Sequence, residues 1–150
     1  MSIILLINTS ETLAGVGLSK DGFLLAHLHN NQQKEHASFL QPAIKNLLAD
    51  QRLSLNEVEA VAVVNGPGSY TGLRVGLASA KGICYALNKP LITISALTLM
   101  SKAAVMALDK ELQPVPLLCP MIDARRMEVF TVIQNRELDE IFPAQALVLN

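Results

Sequence analysis

The stretch VVNGPGSYTGLRVG, residues 63–76, decides the fold, because it joins an apolar run to a helical pattern through a glycine-rich turn. In such a turn, glycines let backbone N–H groups approach an anion, and the N-terminus of the following helix adds the positive end of its dipole. The stretch therefore raises the question of whether this chain binds phosphate.

Neither common phosphate motif fits this turn. A Walker loop counted from Gly66 needs a second glycine where Thr71 stands, and no lysine follows Gly72. The dinucleotide fingerprint fails as well, because its third glycine comes one place late and the next strand, LITIS, ends without a carboxylate. What remains is a general anion site, for which the candidates are Gly66, Gly68, Ser69, Thr71, Gly72 and Arg74.

A purely structural role would explain the same glycines. They permit a tight turn between a strand and a helix. A cation in the first turn of a helix opposes the helix dipole by about 0.3–1 kcal/mol, so Arg74 would then pair with a carboxylate of this chain or of another one. Both interpretations stay open on the sequence alone.

The segments around the turn alternate between strand and helix patterns. Apolar runs predict strands over residues 3–8, 13–19, 23–29, 60–64 and 91–94. The second and third of these flank the hairpin dipeptide Asp21-Gly22, which makes the first three strands a meander. Helical spacing predicts helices over 35–51, over 72–87, and from a Ser95 cap to about Leu108.

Three further features refine this outline. Pro42 lies inside the first helical pattern, so we expect a kink or a helix that starts nearer Gln41. Ser54 and Glu57 have the spacing of a capping box, which opens a short turn of helix. Strand meander, helix, strand, helix, strand and helix in this order predict an α/β fold with a mixed sheet.

A proline-bounded connection at residues 112–116 predicts a boundary between two lobes. The first lobe would cover residues 1–112. Residues 113–150 would be the beginning of a second, incomplete lobe, with strands over 117–122 and 129–133 around the turn DARRM and one more strand at 146–149.

Composition excludes several classes of function. A net charge of −1 over 150 residues argues against a nucleic-acid binder that works alone, because phosphate neutralisation needs clustered Lys and Arg. Cys84 and Cys119 stand in apolar surroundings and are predicted to be reduced, packed thiols. The N-terminus does not read as a signal peptide, and no apolar run has membrane-spanning length, so we expect a soluble, cytoplasmic protein.

The central motif carries a resemblance to a known family. GPGSYTGLRVGLASAKG (66–82), preceded by INTS (7–10) and followed by PMIDARRMEVF (120–130), closely resembles the TsaB (YeaZ) family of tRNA threonylcarbamoyladenosine biosynthesis proteins, over nearly the whole chain. The resemblance implies the actin/hexokinase/Hsp70-like ATPase fold, which is related to ribonuclease H and has two lobes with mixed sheets.

The resemblance also implies a function and partners. It implies an accessory subunit that pairs with the related transferase TsaD, is joined by the small ATPase TsaE, contacts tRNA only through the complex, and forms a homodimer when alone. The predicted helices 35–51 and 72–87 would make the pairing surface, with Asp123, Arg125 and Arg126 either a second contact or an ordinary polar turn. The implied interface candidates are Phe39, Leu40, Gly72, Val75, Gly76, Ser79, Ala80, Ile83, Asp123, Arg125 and Arg126.

The positions that carry chemistry in related proteins are different here. The metal-binding His-x-x-x-His pair of the transferase falls on Ser95 and Leu99, and the first-strand aspartate of ATP-using relatives falls on Asn8, which can hydrogen-bond the turn but has no charge. We therefore expect no catalytic residue, metal or cofactor of its own. An autonomous ATPase or phosphotransferase of the same superfamily, and a self-associating structural protein, are the alternatives.

Histidines and cysteines give weaker signals. His27 and His29 alternate on one strand face and could chelate a metal, but no third ligand is in register, so we expect exposed strand residues. His36 is expected to be solvated. Cys119 is expected to be buried, and neither a His-Glu-x-x-His motif nor a nucleophile elbow supports a peptidase.

Overall fold

The computed structural model describes residues 2–32, 35–107 and 117–149 of the chain. The chain divides into two compact units, Met1–Ile94 and Ser95–Asn150. The lobe boundary predicted between residues 112 and 113 lies outside the described residues and stays a prediction.

A five-stranded mixed sheet is the centre of the first unit. Its strands are β1 (Ile3–Asn8), β2 (Ala14–Lys20), β3 (Phe23–Asn30), β4 (Ala60–Gly66) and β5 (Leu91–Ser95), in the order β3-β2-β1-β4-β5. β1 and β2 are antiparallel, as are β2 and β3, whereas β4 runs parallel to β1. The predicted meander and mixed sheet are therefore confirmed.

Two helices belong to the first unit and lie in its core. The helix α1 (His36–Asp50) buries residues at helical spacing, and α2 (Tyr70–Leu87) buries a stripe of small residues. Both contribute to one core with β1, β2 and β4, whose largest buried side chains include Leu5, Leu18, Leu40, Leu47, Val61 and Val63. Every residue of β4 except Asn65 is buried, as expected for a central strand.

The ends of these helices differ from the predictions for local reasons. α1 begins at His36 and includes Pro42, so the alternative start near Gln41 is wrong. α2 begins at Tyr70, two residues before the predicted start, because the Ser69 hydroxyl caps it by accepting the Gly72 N–H at 3.3 Å. It ends at Leu87 and is followed by Asn88, which adopts the left-handed conformation common after a helix.

The predicted capping box opens a short 3-10 helix, Leu55–Glu57. The Ser54 backbone N–H and hydroxyl donate to Glu57 Oε2 at 2.8 and 2.9 Å. These bonds favour the charged carboxylate and lower the pKa of Glu57 below its usual value. The capping-box prediction is confirmed.

The second unit contains the helix α3 (Ala96–Ala107) and an antiparallel sheet with the order β6-β7-β8, formed by β6 (Met121–Arg125), β7 (Glu128–Gln134) and β8 (Glu140–Val148). The predicted strand 117–122 is misplaced, because before Met121 only Leu118 pairs, through a single bridge to Gln134. The predicted five-residue turn contracts to Arg126 and Met127, and the predicted strand 146–149 is the end of the longer β8.

Candidate functional site

Three glycines of the central motif lie so close to the loop after β1 that a side chain at any of them would overlap it. A Cβ at Gly68 would overlap the carbonyl oxygen of Ser10, and one at Gly72 would overlap the carbonyl oxygen of Thr9. A Cβ at Gly76 would overlap the Thr9 hydroxyl, which donates to the Gly72 carbonyl at 2.7 Å. These glycines therefore let the loop after β1 lie directly against the start of α2.

Two backbone N–H groups that an anion would need already have hydrogen-bond partners within the chain. The Ser69 N–H donates to the Ser10 carbonyl at 2.6 Å, and the Gly72 N–H donates to the Ser69 hydroxyl. Gly66 and Gly68 have φ values of +109° and +153°, which only glycine adopts without strain. Of the anion-site candidates, these two glycines, Ser69 and Gly72 thus have structural roles in the turn.

The remaining two anion-site candidates, Thr71 and Arg74, are exposed. The guanidinium of Arg74 lies over the ring of Tyr70, 4.0 Å from its centroid. Within residues 2–32, 35–107 and 117–149, no carboxylate forms an ion pair with Arg74. The predicted anion site stays a prediction, with a cation–π contact in the place where a counter-charge was expected.

Asn8 completes the loop after β1. Its side-chain oxygen accepts the Ser10 N–H at 3.1 Å and the Ser10 hydroxyl at 2.7 Å. The prediction that Asn8 hydrogen-bonds the turn is confirmed. Because both bonds hold the loop in place, this oxygen serves the fold of the loop.

His36 is buried, although its residue type predicts a solvated side chain. It is 3% exposed, with Nε2 at 3.1 Å from the Thr12 carbonyl, and Nδ1 has no hydrogen-bond partner among the described residues. The prediction of a solvated His36 is wrong, because this first residue of α1 lies on the same face as Leu40 and packs against Gly72. The spacing of four between His36 and Leu40 was the available signal.

Two other predictions about reactive side chains have different outcomes. His27 and His29 are exposed on the edge strand β3, as predicted, and their rings stack with centroids 6.1 Å apart. Cys119 is exposed, so its predicted burial is wrong: it lies before β6, which begins only at Met121. No cluster of three or more potential metal ligands occurs in the part of the chain that is described.

The predicted interface residues on α1 and α2 separate into two groups. Leu40, Gly72, Gly76 and Ala80 are buried in the core of this unit, so they are not on its surface. Their helical spacing reflects packing within the chain. The half-buried residues are Phe39, Val75, Ser79 and Ile83.

A row of exposed residues runs beside the half-buried ones, and we call it the α2 outer face. It consists of Arg74, Ala78, Gly82 and Ala86, each one helical turn after the last. Tyr70, 67% exposed, and Tyr85, 92% exposed, lie near its two ends. Exposed tyrosine and arginine are enriched in surfaces that bind another protein.

Gly82 distinguishes this face from the buried one. A Cβ at Gly82 would meet nothing within 4 Å, so no contact within the described chain requires glycine there. An exposed glycine inside a helix destabilises it by about 1 kcal/mol relative to alanine. Close approach by another molecule would explain why this position has no side chain.

The hairpin between β6 and β7 contains the second charged cluster. Asp123 Oδ1 accepts the Arg125 N–H at 2.7 Å, a hydrogen bond that is common in polar turns and leaves the partner contact a prediction. Arg125, Arg126 and Met127 have φ values of +66°, +55° and +61°. A left-handed conformation costs about 1–2 kcal/mol for a residue with a side chain, so this turn is strained.

Comparisons with known proteins identify a matching family model and several similar proteins. The family model "TsaD: tRNA N6-adenosine threonylcarbamoyltransferase" matches residues 24–146. The chain is 37% identical over 127 residues to the tRNA threonylcarbamoyladenosine biosynthesis protein TsaB of Haemophilus influenzae, covering 85% of the chain and 51% of that protein. It is 30% identical over 149 residues to TsaB of Bacillus subtilis, covering 97% of the chain and 62% of that protein.

A solved structure gives the same result for the fold. YeaZ from Pseudomonas aeruginosa superposes with a TM-score of 0.83 at 27% identity, covering 98% of this chain and 67% of that one. The predicted actin/hexokinase/Hsp70-like ATPase fold is therefore confirmed. The chain spans between about half and two thirds of the length of these relatives.

Proposed function

Because this chain belongs to the TsaB (YeaZ) family, we propose that it acts in the biosynthesis of tRNA threonylcarbamoyladenosine as an accessory subunit. In this proposal it binds a TsaD-like transferase, is joined by a TsaE-like ATPase and contacts tRNA only as part of that complex. It works in the cytoplasm and pairs with a second copy of itself when the transferase is absent.

The observation that carries the proposed partner binding is the glycine at position 82. Gly72 and Gly76 are explained by contacts with Thr9, whereas no atom of the residues that the structure describes lies within 4 Å of a Cβ at Gly82. On the α2 outer face, Ala78 and Ala86 continue the row, so the backbone of another helix can approach α2 closely. Val75, Ser79 and Ile83 flank this row, and Ser79 accepts a 3.1 Å hydrogen bond from Gln41 of α1, so that both helices contribute to the proposed surface.

We propose that the chain is not a catalyst because the polar groups that would bind a nucleotide form hydrogen bonds within the chain. Asn8 stands where ATP-using relatives have an aspartate, and its side-chain oxygen accepts two hydrogen bonds from Ser10. The N–H groups of Ser69 and Gly72 also have partners within the chain. An autonomous ATPase would need to release these groups before they could bind a nucleotide, so the accessory role has the better support.

Reconstitution tests the function directly. The transferase, the TsaE-like ATPase and tRNA from the same organism are incubated with the substrates of the modification, with and without this chain, and threonylcarbamoyladenosine is measured in digested tRNA. We expect the modified nucleoside to form only when the chain is present. Equal yields in the two reactions would overturn the accessory role.

A further inference from the structure

The β6–β7 hairpin departs from ordinary turn chemistry. Its two central residues, Arg126 and Met127, both have positive φ, the geometry of a type I′ turn, which favours Asn-Gly or Asp-Gly. The β2–β3 hairpin of the same chain follows this preference, with Asp21 and Gly22 at φ +51° and +87°. Because the residue before the turn, Arg125, is left-handed as well, this hairpin holds three consecutive strained side chains.

Nothing in the described chain explains why these residues are kept. Arg125, Arg126 and Met127 are exposed, the last with 68% of its surface accessible. Within residues 2–32, 35–107 and 117–149, neither guanidinium forms an ion pair or a hydrogen bond. Backbone strain that does not serve the fold points to a binding role for the side chains it displays.

The surroundings of the turn indicate the kind of molecule that binds. The Leu149 N–H donates to the Met127 carbonyl at 2.7 Å, and Val148 is the cross-strand partner of Glu128. Met127, Val148 and Leu149 are all exposed, so an apolar patch lies beside the two arginines. Methionine and arginine are enriched in protein–protein interfaces, and the guanidinium fork matches a carboxylate.

We propose that the hairpin 123–128 is a docking site for a protein partner that presents carboxylates beside an apolar surface. The inference rests on the proposed function, because the partner it assigns is the TsaD-like transferase, contacted here in addition to the α2 outer face. RNA is a poorer match, because the chain has a net charge of −1 and the two arginines lie beside the exposed apolar residues Met127, Val148 and Leu149 instead of in a cluster of cations. A second copy of this chain is a poorer match as well, because a two-fold contact between two such hairpins would bring four mutually repelling guanidinium groups together.

One double variant should make the chain more stable and at the same time weaken its binding to the transferase. Replacing the turn by Asn-Gly, with Arg126→Asn and Met127→Gly, relieves the strain and removes two of the docking side chains. We expect the melting temperature to rise by roughly 2–6 °C, while affinity for the transferase falls at least about tenfold. An unchanged or lower melting temperature would contradict the premise that the turn is strained.

Charge variants test the contact without changing the turn. Arg125→Gln combined with Arg126→Gln is compared with Arg136→Gln, which removes a guanidinium from the β7–β8 connection, in calorimetric titrations of the full chain with the transferase. We expect at least about tenfold weaker binding for the double variant and wild-type affinity for Arg136→Gln. Arg126→Lys, which keeps the charge and loses the fork, should bind with intermediate affinity.

The possible failures are distinguishable. Wild-type affinity of the folded double variant for the transferase would overturn the docking site and leave the proposed function standing. A loss confined to tRNA binding, measured with unmodified transcript, would overturn it in favour of an RNA contact. If the wild-type chain does not bind the transferase, the proposed function fails and this inference fails with it.

Discussion

Gly76 and Gly82 lie six residues apart on α2 and have opposite surroundings. A Cβ at Gly76 would overlap the Thr9 hydroxyl, whereas one at Gly82 would meet nothing within 4 Å among the described residues. We expect Gly76→Ala to lower the free energy of unfolding by about 1–3 kcal/mol and Gly82→Ala to raise it by about 0.5–1 kcal/mol. Urea unfolding of the two variants measures both changes, and shifts of the same sign would contradict this assignment of the two glycines.

The two thiols should differ in reactivity. Cys84 is buried, which raises the pKa of its thiol, and its Sγ lies 3.5 Å from the Pro90 carbonyl. Cys119 is exposed. Because the thiolate is the reactive form, a colorimetric disulfide reagent at neutral pH should titrate one thiol in the native protein and two in denaturant. Rapid reaction of both thiols in the native protein would contradict the burial of Cys84.

Single residues were the hardest feature to predict from the sequence. His36 is buried and Cys119 is exposed, the reverse of what the polar ring of His36 and the apolar neighbours of Cys119 predict. Burial of His36 depends on Thr12 and Gly72, which are distant in sequence. Such contacts have no signature in the local pattern.

Among the secondary-structure elements, α1 contains an avoidable destabilising residue. Pro42 is the seventh residue of the helix, is exposed, and cannot donate a backbone hydrogen bond. We expect Pro42→Ala to stabilise the protein by about 1–3 kcal/mol, since it restores the donor and removes the clash with the preceding turn. Thermal unfolding of this variant provides the measurement, and a lower melting temperature would show that the proline fits α1 without strain.

The helices and strands with a regular spacing of apolar residues could be predicted from the sequence, whereas the irregular segments could not. The predicted helices and the strands of the first unit were confirmed, with boundaries shifted by a few residues. The apolar run LLCPMI predicts a strand over residues 117–122, whereas β6 runs from Met121 to Arg125. The sequence predicts a turn over DARRM, but no propensity places its two central residues at Arg126 and Met127, since both residues disfavour positive φ.

At the scale of the whole molecule, the alternation of elements and the central motif were sufficient to predict the fold class. The sequence also showed that the standard phosphate motifs fail. It could not show that the loop at Thr9 and Ser10 fills the glycine turn, because this contact joins segments about 60 residues apart. The same limit applies to the candidate interface. Periodicity identifies a stripe of small residues on α2, but it cannot tell whether that stripe is buried within the chain or exposed to a partner.

Because two N–H groups of the glycine turn already have partners within the chain, we expect the chain to have no ATPase activity. With MgATP and no partner, we expect no phosphate release above the background of a heat-denatured sample. Asn8→Asp should not restore turnover, because the Ser69 and Gly72 N–H groups keep their partners within the chain. A malachite green assay gives the rate, and partner-independent turnover by either protein would favour the autonomous ATPase.

The proposed docking of the α2 outer face to a TsaD-like transferase is tested most directly by adding one side chain at Gly82. Calorimetry compares the wild type with Gly82→Arg and with Ala104→Arg, which places the same side chain at an exposed position of α3. We expect Gly82→Arg to remain folded, since the space around it is open, and to bind the transferase at least about 30-fold more weakly than the other two proteins. Equal affinity of all three would contradict docking through this face.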